Sequence, residues 1–387
     1  MKRLSGPTRS RRRPKASRRT VPRASATARR QAWERPAATS RPTAAKAGSR
    51  AAASSRPAWP KVVIEPIIVR CLRRCRRAPL SGPERRWDDG RVTEPAASRP
   101  PSQVWVDGEL RPAAGPHLSV FDRGFQAGDG VFETLRAVSG RPLELADHLG
   151  RLRASAAGLA IALPADLEAR LAGAVAALLE AEGLAATGRE AAVRITVSRG
   201  VSAANALLPA AASAPTIVVQ AWPTAPRDPA AFERGLRLVV SAVRHDPESP
   251  LAGLKLISRA DHVYARLEAE RAGADDALFL TPDGYVAEAT SANLFLVRGG
   301  ELATPSLACG ILAGTTRTWL LHWAATVGLQ PVETLLTTRE VHEADEAFLS
   351  SSVAGIAPVT RFEGRPLGDG RPGPWTRRAW QDRRAAR

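Results

Sequence analysis

One lysine stands in a setting that could support chemistry. Lys255 lies in Ser249-Pro-Leu-Ala-Gly-Leu-Lys-Leu-Ile-Ser258, flanked by Leu251, Leu254, Leu256 and Ile257, with Gly253 just before it. An unpaired ammonium is costly to bury. Such an amine is driven toward its neutral form and can attack a carbonyl to form a Schiff base. The plainer alternative is a surface lysine whose alkyl stem lies across apolar neighbours. An aldehyde cofactor carrying a phosphate would need three further things. These are a phosphate cradle, a carboxylate at its ring nitrogen, and donors for a substrate carboxylate.

The elements that must position these groups begin near Gln103. Val104 and Val106 alternate with polar neighbours, and Asp107-Gly108 marks a hairpin. Gly124, Gly128 and Gly130 punctuate a loop that feeds a strand over 131–138. The apolar spacing in 145–156 predicts a helix, with His148 and Arg151 on one face, ordinarily a solvated one. A second helix is expected over 165–182, and β-branched strands over 191–200 and 216–221. Residues 203–214 read as a loose loop. After a proline-rich linker at 223–229, strands are expected at 236–243, 277–280, 286–288, 293–297 and 347–349. Helices are expected at 258–272 and 311–327. The alternation indicates an α/β chain with two lobes, 101–222 and 230–387, and a groove between them as the default site.

Charge is unevenly spread. The chain of 387 residues has a formal net charge of +18. Residues 1–100 hold 27 Lys and Arg against 6 Asp and Glu, a net of +21, and the remainder holds 29 against 32, a net of −3. A basic nucleic-acid-binding face on the folded body is therefore not indicated. The first hundred residues are rich in Arg, Ala, Ser and Pro and read as disordered. Three explanations stand open: a translated upstream region from a start placed too early, an acid-poor targeting segment, or a tail that holds nucleic acid or anionic membrane by charge. No segment reads as transmembrane. Cys71, Cys75 and Cys309 suit neither a disulfide framework nor a zinc site, and read as reduced cytosolic thiols.

From about Val104 to Trp380 the chain resembles the class IV, or fold type IV, pyridoxal-phosphate enzymes. These include the branched-chain aminotransferases, D-amino acid transaminases and 4-amino-4-deoxychorismate lyases. The resemblance is carried by Phe121-Asp-Arg-Gly through Gly128-Asp-Gly-Val-Phe-Glu133, His148-Leu-Gly-Arg-Leu152, Gly253-Leu-Lys255, Ala287-Glu-Ala-Thr-Ser-Ala-Asn-Leu-Phe295, Ile311-Leu-Ala-Gly-Thr-Thr-Arg317, Ser350-Ser-Ser-Val353 with Pro358-Val359, and Gly373-Pro-Trp-Thr-Arg377.

This resemblance implies that Lys255 holds pyridoxal 5'-phosphate as a Schiff base and shuttles the substrate's Cα proton. It implies that Glu288 faces the pyridine nitrogen, that Asn293 supports the Glu288 strand, and that Leu312 packs on the ring. Gly314, Thr315 and Thr316 would receive the phosphate at a helix mouth, aided by Arg151 and Ser352. Arg194, with Ser352 and Val353, would meet the substrate carboxylate, and Phe132 and Thr134 would line the side-chain pocket. No metal is implied. Some positions depart from the family's patterns. Thr134 and Ala260 stand where branched-chain enzymes carry Gly and Tyr, and Ala204 and Ala206 stand where D-amino acid transaminases carry Arg and His. Glu133 stands where lyases often carry Thr, yet Leu251-Ala-Gly-Leu-Lys255 looks most like the lyases.

The expectation is a cytoplasmic homodimer that passes an amino group from an amino acid to a 2-oxo acid. The alternatives are a pyruvate-releasing aminodeoxychorismate lyase, a nucleic-acid-binding protein acting through its basic arm, and a catalytically silent member of the fold.

Overall fold

The computed structural model describes residues 100–202, 206–209, 214–224 and 228–386. The expected extension and parts of the expected loop and linker lie outside these residues. Among the described residues, the strands form two sheets in consecutive stretches of chain.

In the first stretch, β1 (Gln103–Val106) and β2 (Glu109–Pro112) make the hairpin turned by Asp107 and Gly108. A short helix, α1 (Arg123–Ala127), follows, where the sequence suggested only loop. Asp122 caps it by accepting the Gly124 N–H. Then come β3 (Gly130–Val138), β4 (Arg141–Pro142), α2 (Leu145–Gly158), α3 (Leu167–Ala181), β5 (Glu190–Ser198) and β6 (Thr216–Pro223). The sheet order is β2-β1-β6-β5-β3-β4. β3 and β5 pair antiparallel in unbroken register from Gly130↔Ser198 to Val138↔Glu190. In α2, Leu149, Leu152 and Ala156 are buried at helical spacing, and in α3 Leu167, Leu171, Val175 and Leu178 do the same. These two stripes close over one sheet face and make its core with Leu135, Val193 and Ile195. Each leucine so buried contributes about 1.5–3 kcal/mol.

The second stretch opens with α4 (Pro229–Arg234) and β7 (Leu236–Arg244). Pro223 ends a strand and Pro229 opens a helix, so the proline-rich segment is shorter than its composition suggested. There follow α5 (Ala260–Arg271), β8 (Asp276–Leu280), β9 (Val286–Ala289), β10 (Asn293–Arg298), β11 (Glu301–Pro305), α6 (Thr315–Val327), β12 (Gln330–Thr334), α7 (Thr338–Glu343), β13 (Glu346–Ser351), β14 (Gly355–Phe362), β15 (Arg365–Pro366) and α8 (Pro374–Ala385). The sheet order is β12-β11-β10-β13-β14-β7-β8-β9, with β15 on β14. Parallel neighbours need long crossovers. α5 carries the chain from β7 to β8, and α6 carries it from β11 to β12.

The helix expected over 311–327 begins only at Thr315. Ile311 is instead packed in a core with Phe279 and Ala287, and residues 311–314 lie outside the helix, with Gly314 extended. β11, β12, β14, α7 and α8 were not apparent from the apolar pattern. Pro331 and Pro358 sit inside strands, where proline ordinarily argues against a ladder.

Candidate active site

Lys255 lies where the two stretches meet. Gly253 takes a φ of +73°, a left-handed turn that suits glycine. The chain then runs beside the open edge of β3. Phe132 donates its N–H to the Lys255 carbonyl at 3.0 Å, and Ile257 donates to the Gly130 carbonyl at 3.1 Å. The Lys255 N–H donates to the buried Ser155 hydroxyl on α2 at 3.1 Å. The backbone of the lysine is thus fixed from a strand and a helix. Its Nζ stands 4.8 Å from the centre of the Phe132 ring.

Burial, helped by the nearby Arg151 and Arg259 cations, pulls the Lys255 amine down to about 8. The surface-lysine alternative does not fit this setting. Burial also pushes the Glu288 carboxyl up, opposed by His245, the Leu312 N–H, Lys255 and Arg259. One physical cause moves both groups toward neutrality.

Glu288 sits on β9, and its Oε2 accepts from Asn293 Nδ2 at 3.2 Å and from the Leu312 N–H at 3.3 Å. Asn293 Nδ2 also donates to the Leu312 carbonyl at 3.0 Å. Asn293 therefore ties β10, the carboxylate and the 311–314 segment together. A Cβ on Gly314 would lie 2.2 Å from Asn293 Oδ1, so glycine is required there. Gly314 is also the N-cap of α6, and no side chain caps the free N–H groups that open this helix.

At that mouth the Thr315 and Ser352 hydroxyls are 3.1 Å apart. The Thr316 hydroxyl is buried without a hydrogen-bond partner among the described residues. Uncapped N–H groups, three hydroxyls and the positive helix end suit a phosphate dianion. The residues present fit a phosphate-bearing cofactor.

Arg151 approaches the same place but is held by other groups. Its Nε and Nη2 donate to the two oxygens of Glu133, each at 2.7 Å, and its Nη1 donates to the Ala313 carbonyl at 2.8 Å. His148 Nδ1 also lies 2.7 Å from Glu133 Oε2. The face shared by His148 and Arg151 is therefore turned inward. Burial raises Glu133, yet the Arg151 and His148 hydrogen bonds outweigh it and hold the carboxyl below its ordinary value.

Arg194, on β5, stacks its guanidinium carbon 3.9 Å from the Phe132 ring centre. Arg259 approaches the same ring at 5.6 Å and donates to the Thr290 carbonyl. Burial pulls both guanidinium groups below their ordinary value. Arg194 and Arg259 form no ion pair with a carboxylate among the described residues.

Lys255, Glu288, Asn293, the α6 mouth, Arg151, Arg194 and Arg259 line one cavity of about 830 Å³, with Glu133, His148 and Ser155 behind its wall. The candidate residues are brought together there without exception, with Thr134 and Val353 also in its wall. Three contributors were missed. Glu133 is an acid inside a strand buried on both faces, and that placement was the available signal. Ser155 and Arg259 carried none, because only their contacts across the fold give them a part.

The Amino-transferase class IV family matches residues 130–362, more than half the chain. A protein of Methanocaldococcus jannaschii, provisionally named a branched-chain-amino-acid aminotransferase, is 34% identical over 277 residues, covering 71% of this chain and 93% of that one. An aminodeoxychorismate lyase of Vibrio harveyi is 30% identical over 256 residues, covering 66% and 90%. The solved branched-chain amino acid aminotransferase of Escherichia coli superposes with a TM-score of 0.67 at 26% identity, covering 72% of this chain and 92% of that one. The chain belongs to the class IV aminotransferases, pyridoxal-phosphate enzymes that move an amino group from an amino acid to a 2-oxo acid, and within them it is branched-chain-aminotransferase-like.

Proposed function

We propose that the cavity around Lys255 is the active site and that its residues divide the work as follows. Lys255 Nζ is the attachment point for the cofactor and the carrier of the substrate's Cα proton. The single observation behind this reading is a half-buried, desolvated amine shifted to about 8 in the same cavity as a buried carboxylate and an uncapped helix mouth. When bound, pyridoxal 5'-phosphate supplies a ring that accepts the electron pair left as the Cα proton departs. Glu288 would hold the proton at the ring nitrogen, with Asn293 orienting the carboxylate, and Leu312 would pack against the ring. Gly314, Thr315, Thr316 and Ser352 would bind the phosphate, aided by the Arg151 charge. Arg194, Ser352 and Val353 receive the substrate carboxylate. Phe132 and Thr134 form the wall against a branched apolar side chain.

We also infer that the enzyme is a homodimer working in the cytoplasm. Leu118, Val120, Phe121 and Phe125 are exposed together between 118 and 125, and a second copy would cover them. Among the described residues no helix is long and apolar enough to cross a membrane.

Supplied with the cofactor, the protein should gain a visible absorption band that borohydride bleaches and that Lys255→Ala abolishes. Leucine, isoleucine or valine should then discharge the band and release a 2-oxo acid. A protein that stays colourless, or one that releases pyruvate from aminodeoxychorismate but transfers no amino group, would overturn this reading.

A further inference from the structure

A second cavity, of about 290 Å³, is walled by the margin of the first sheet, the start of β14 and the end of α8. Four guanidinium groups line it, from Arg136, Arg189, Arg383 and Arg384, against one carboxylate in the lining, Glu190. Arg136 is paired with Glu190, and Arg383 with Glu144 on the neighbouring turn. Arg189 and Arg384 form no ion pair among the described residues. The Arg384 guanidinium lies 4.7 Å from the Trp380 ring centre. Thr224, in the same lining, has a buried hydroxyl without a hydrogen-bond partner among the described residues. Clustered like charges and an unpartnered buried hydroxyl are both unfavourable unless an anion satisfies them.

We propose that this cavity is a binding site for a small phosphate-class oxyanion, separate from the cofactor cavity. Guanidinium forks match phosphate oxygens pairwise, and a phosphate carries more acceptor oxygens and more negative charge than a carboxylate to share among several forks. The volume is at the low end for ligand pockets and suits a pyrophosphate or a short phosphate ester. Arg384 already lies against Trp380, so that ring offers a nucleobase little room to stack. Ala354 lines both cavities, so the new site backs onto the turn that carries Ser352 and Val353.

The test is calorimetric titration of inorganic pyrophosphate into the full-length holoenzyme, with cofactor bound so that the first cavity's phosphate site is filled. Saturable binding is expected, weakening as salt rises. The double variant Arg189→Gln/Arg384→Gln should bind about tenfold more weakly, with the cofactor's absorption and the transamination rate unchanged. Absence of saturable binding would overturn the proposal. So would equal binding by the double variant, which would assign the anion to the Arg-rich first hundred residues. Equally tight binding of glutarate would overturn the phosphate class. Should the double variant lose the cofactor spectrum, Thr224→Val decides: severalfold weaker binding supports the site, and unchanged binding sinks it.

Discussion

At the scale of single residues, the cavity uses burial to set protonation. Lys255 at about 8 is partly neutral near physiological pH, where an ordinary lysine at 10.5 is almost wholly charged. Only the neutral amine attacks an aldehyde, and its fraction rises as pH rises through the folded pKa. Cofactor capture by the apoenzyme should therefore accelerate with pH to a midpoint near 8, read as the rate of borohydride-reducible absorbance. A midpoint near 10.5 would mean that the amine is not desolvated. Glu133 gives a second prediction with the opposite sign. Its carboxyl is held below the ordinary 4.5, so its stabilisation is complete above that value and is lost as pH falls through the folded pKa. Glu133→Gln keeps the shape but leaves Arg151 and His148 without their anion, and loss of one partner of a buried pair costs about 3–5 kcal/mol. The variant should melt earlier at pH 7 and bind the cofactor more weakly, with the difference in melting shrinking as pH falls below the ordinary carboxyl value. A variant with unchanged cofactor affinity would show that Glu133 does not position Arg151. The lysine was legible in the sequence because one apolar stretch surrounds it. The Glu133–Arg151–His148 cluster was not, since an acid in a strand finds its partners on a helix 15 and 18 residues away only after folding.

At the scale of elements, the mouth of α6 depends on a close approach that only glycine allows. Gly314→Ala would drive a Cβ into the Asn293 amide, which also holds Glu288 and the Leu312 carbonyl. Overpacking of this kind costs about 1–3 kcal/mol. Here the displaced amide would also loosen the Glu288 carboxylate, proposed above to face the ring nitrogen. Cofactor affinity should fall at least tenfold in a spectroscopic titration, with a modest drop in Tm; unchanged affinity would show that this contact does not shape the site. The same region shows where pattern reading stopped. Ile311, Leu312 and Ala313 look like the first turn of a helix, yet Gly310 ends a short turn and Ile311 is drawn into the core. The period-2 strands of the first sheet were readable because one face is clad by two leucine-striped helices. β14 was hidden by Pro358, although it pairs with β13 from Ala347↔Val359 to Ser351↔Gly355.

At the scale of the whole molecule, the cavity draws on both stretches of chain, and its lining runs from Phe132 to Ala354. The buried apolar clusters run from Trp105 to Ala379. The Lys255 segment, hydrogen-bonded to β3, and the Arg383–Glu144 ion pair both join these stretches. All of the chain's excess positive charge, by contrast, lies in residues 1–99. Catalysis and charge should therefore be separable. A variant lacking residues 1–99 should keep the cofactor's absorption and its kcat/KM within about twofold, since the whole lining from Phe132 to Ala354 is retained. The same variant should lose any salt-sensitive retention on DNA or anionic vesicles, because exposed charge acts over about 10 Å at 0.1 M salt and the remaining chain carries a small net negative charge. A large fall in kcat/KM on deletion would mean that the basic segment reaches the active site, and retention that survives deletion would place the polyanion-binding surface on the folded body.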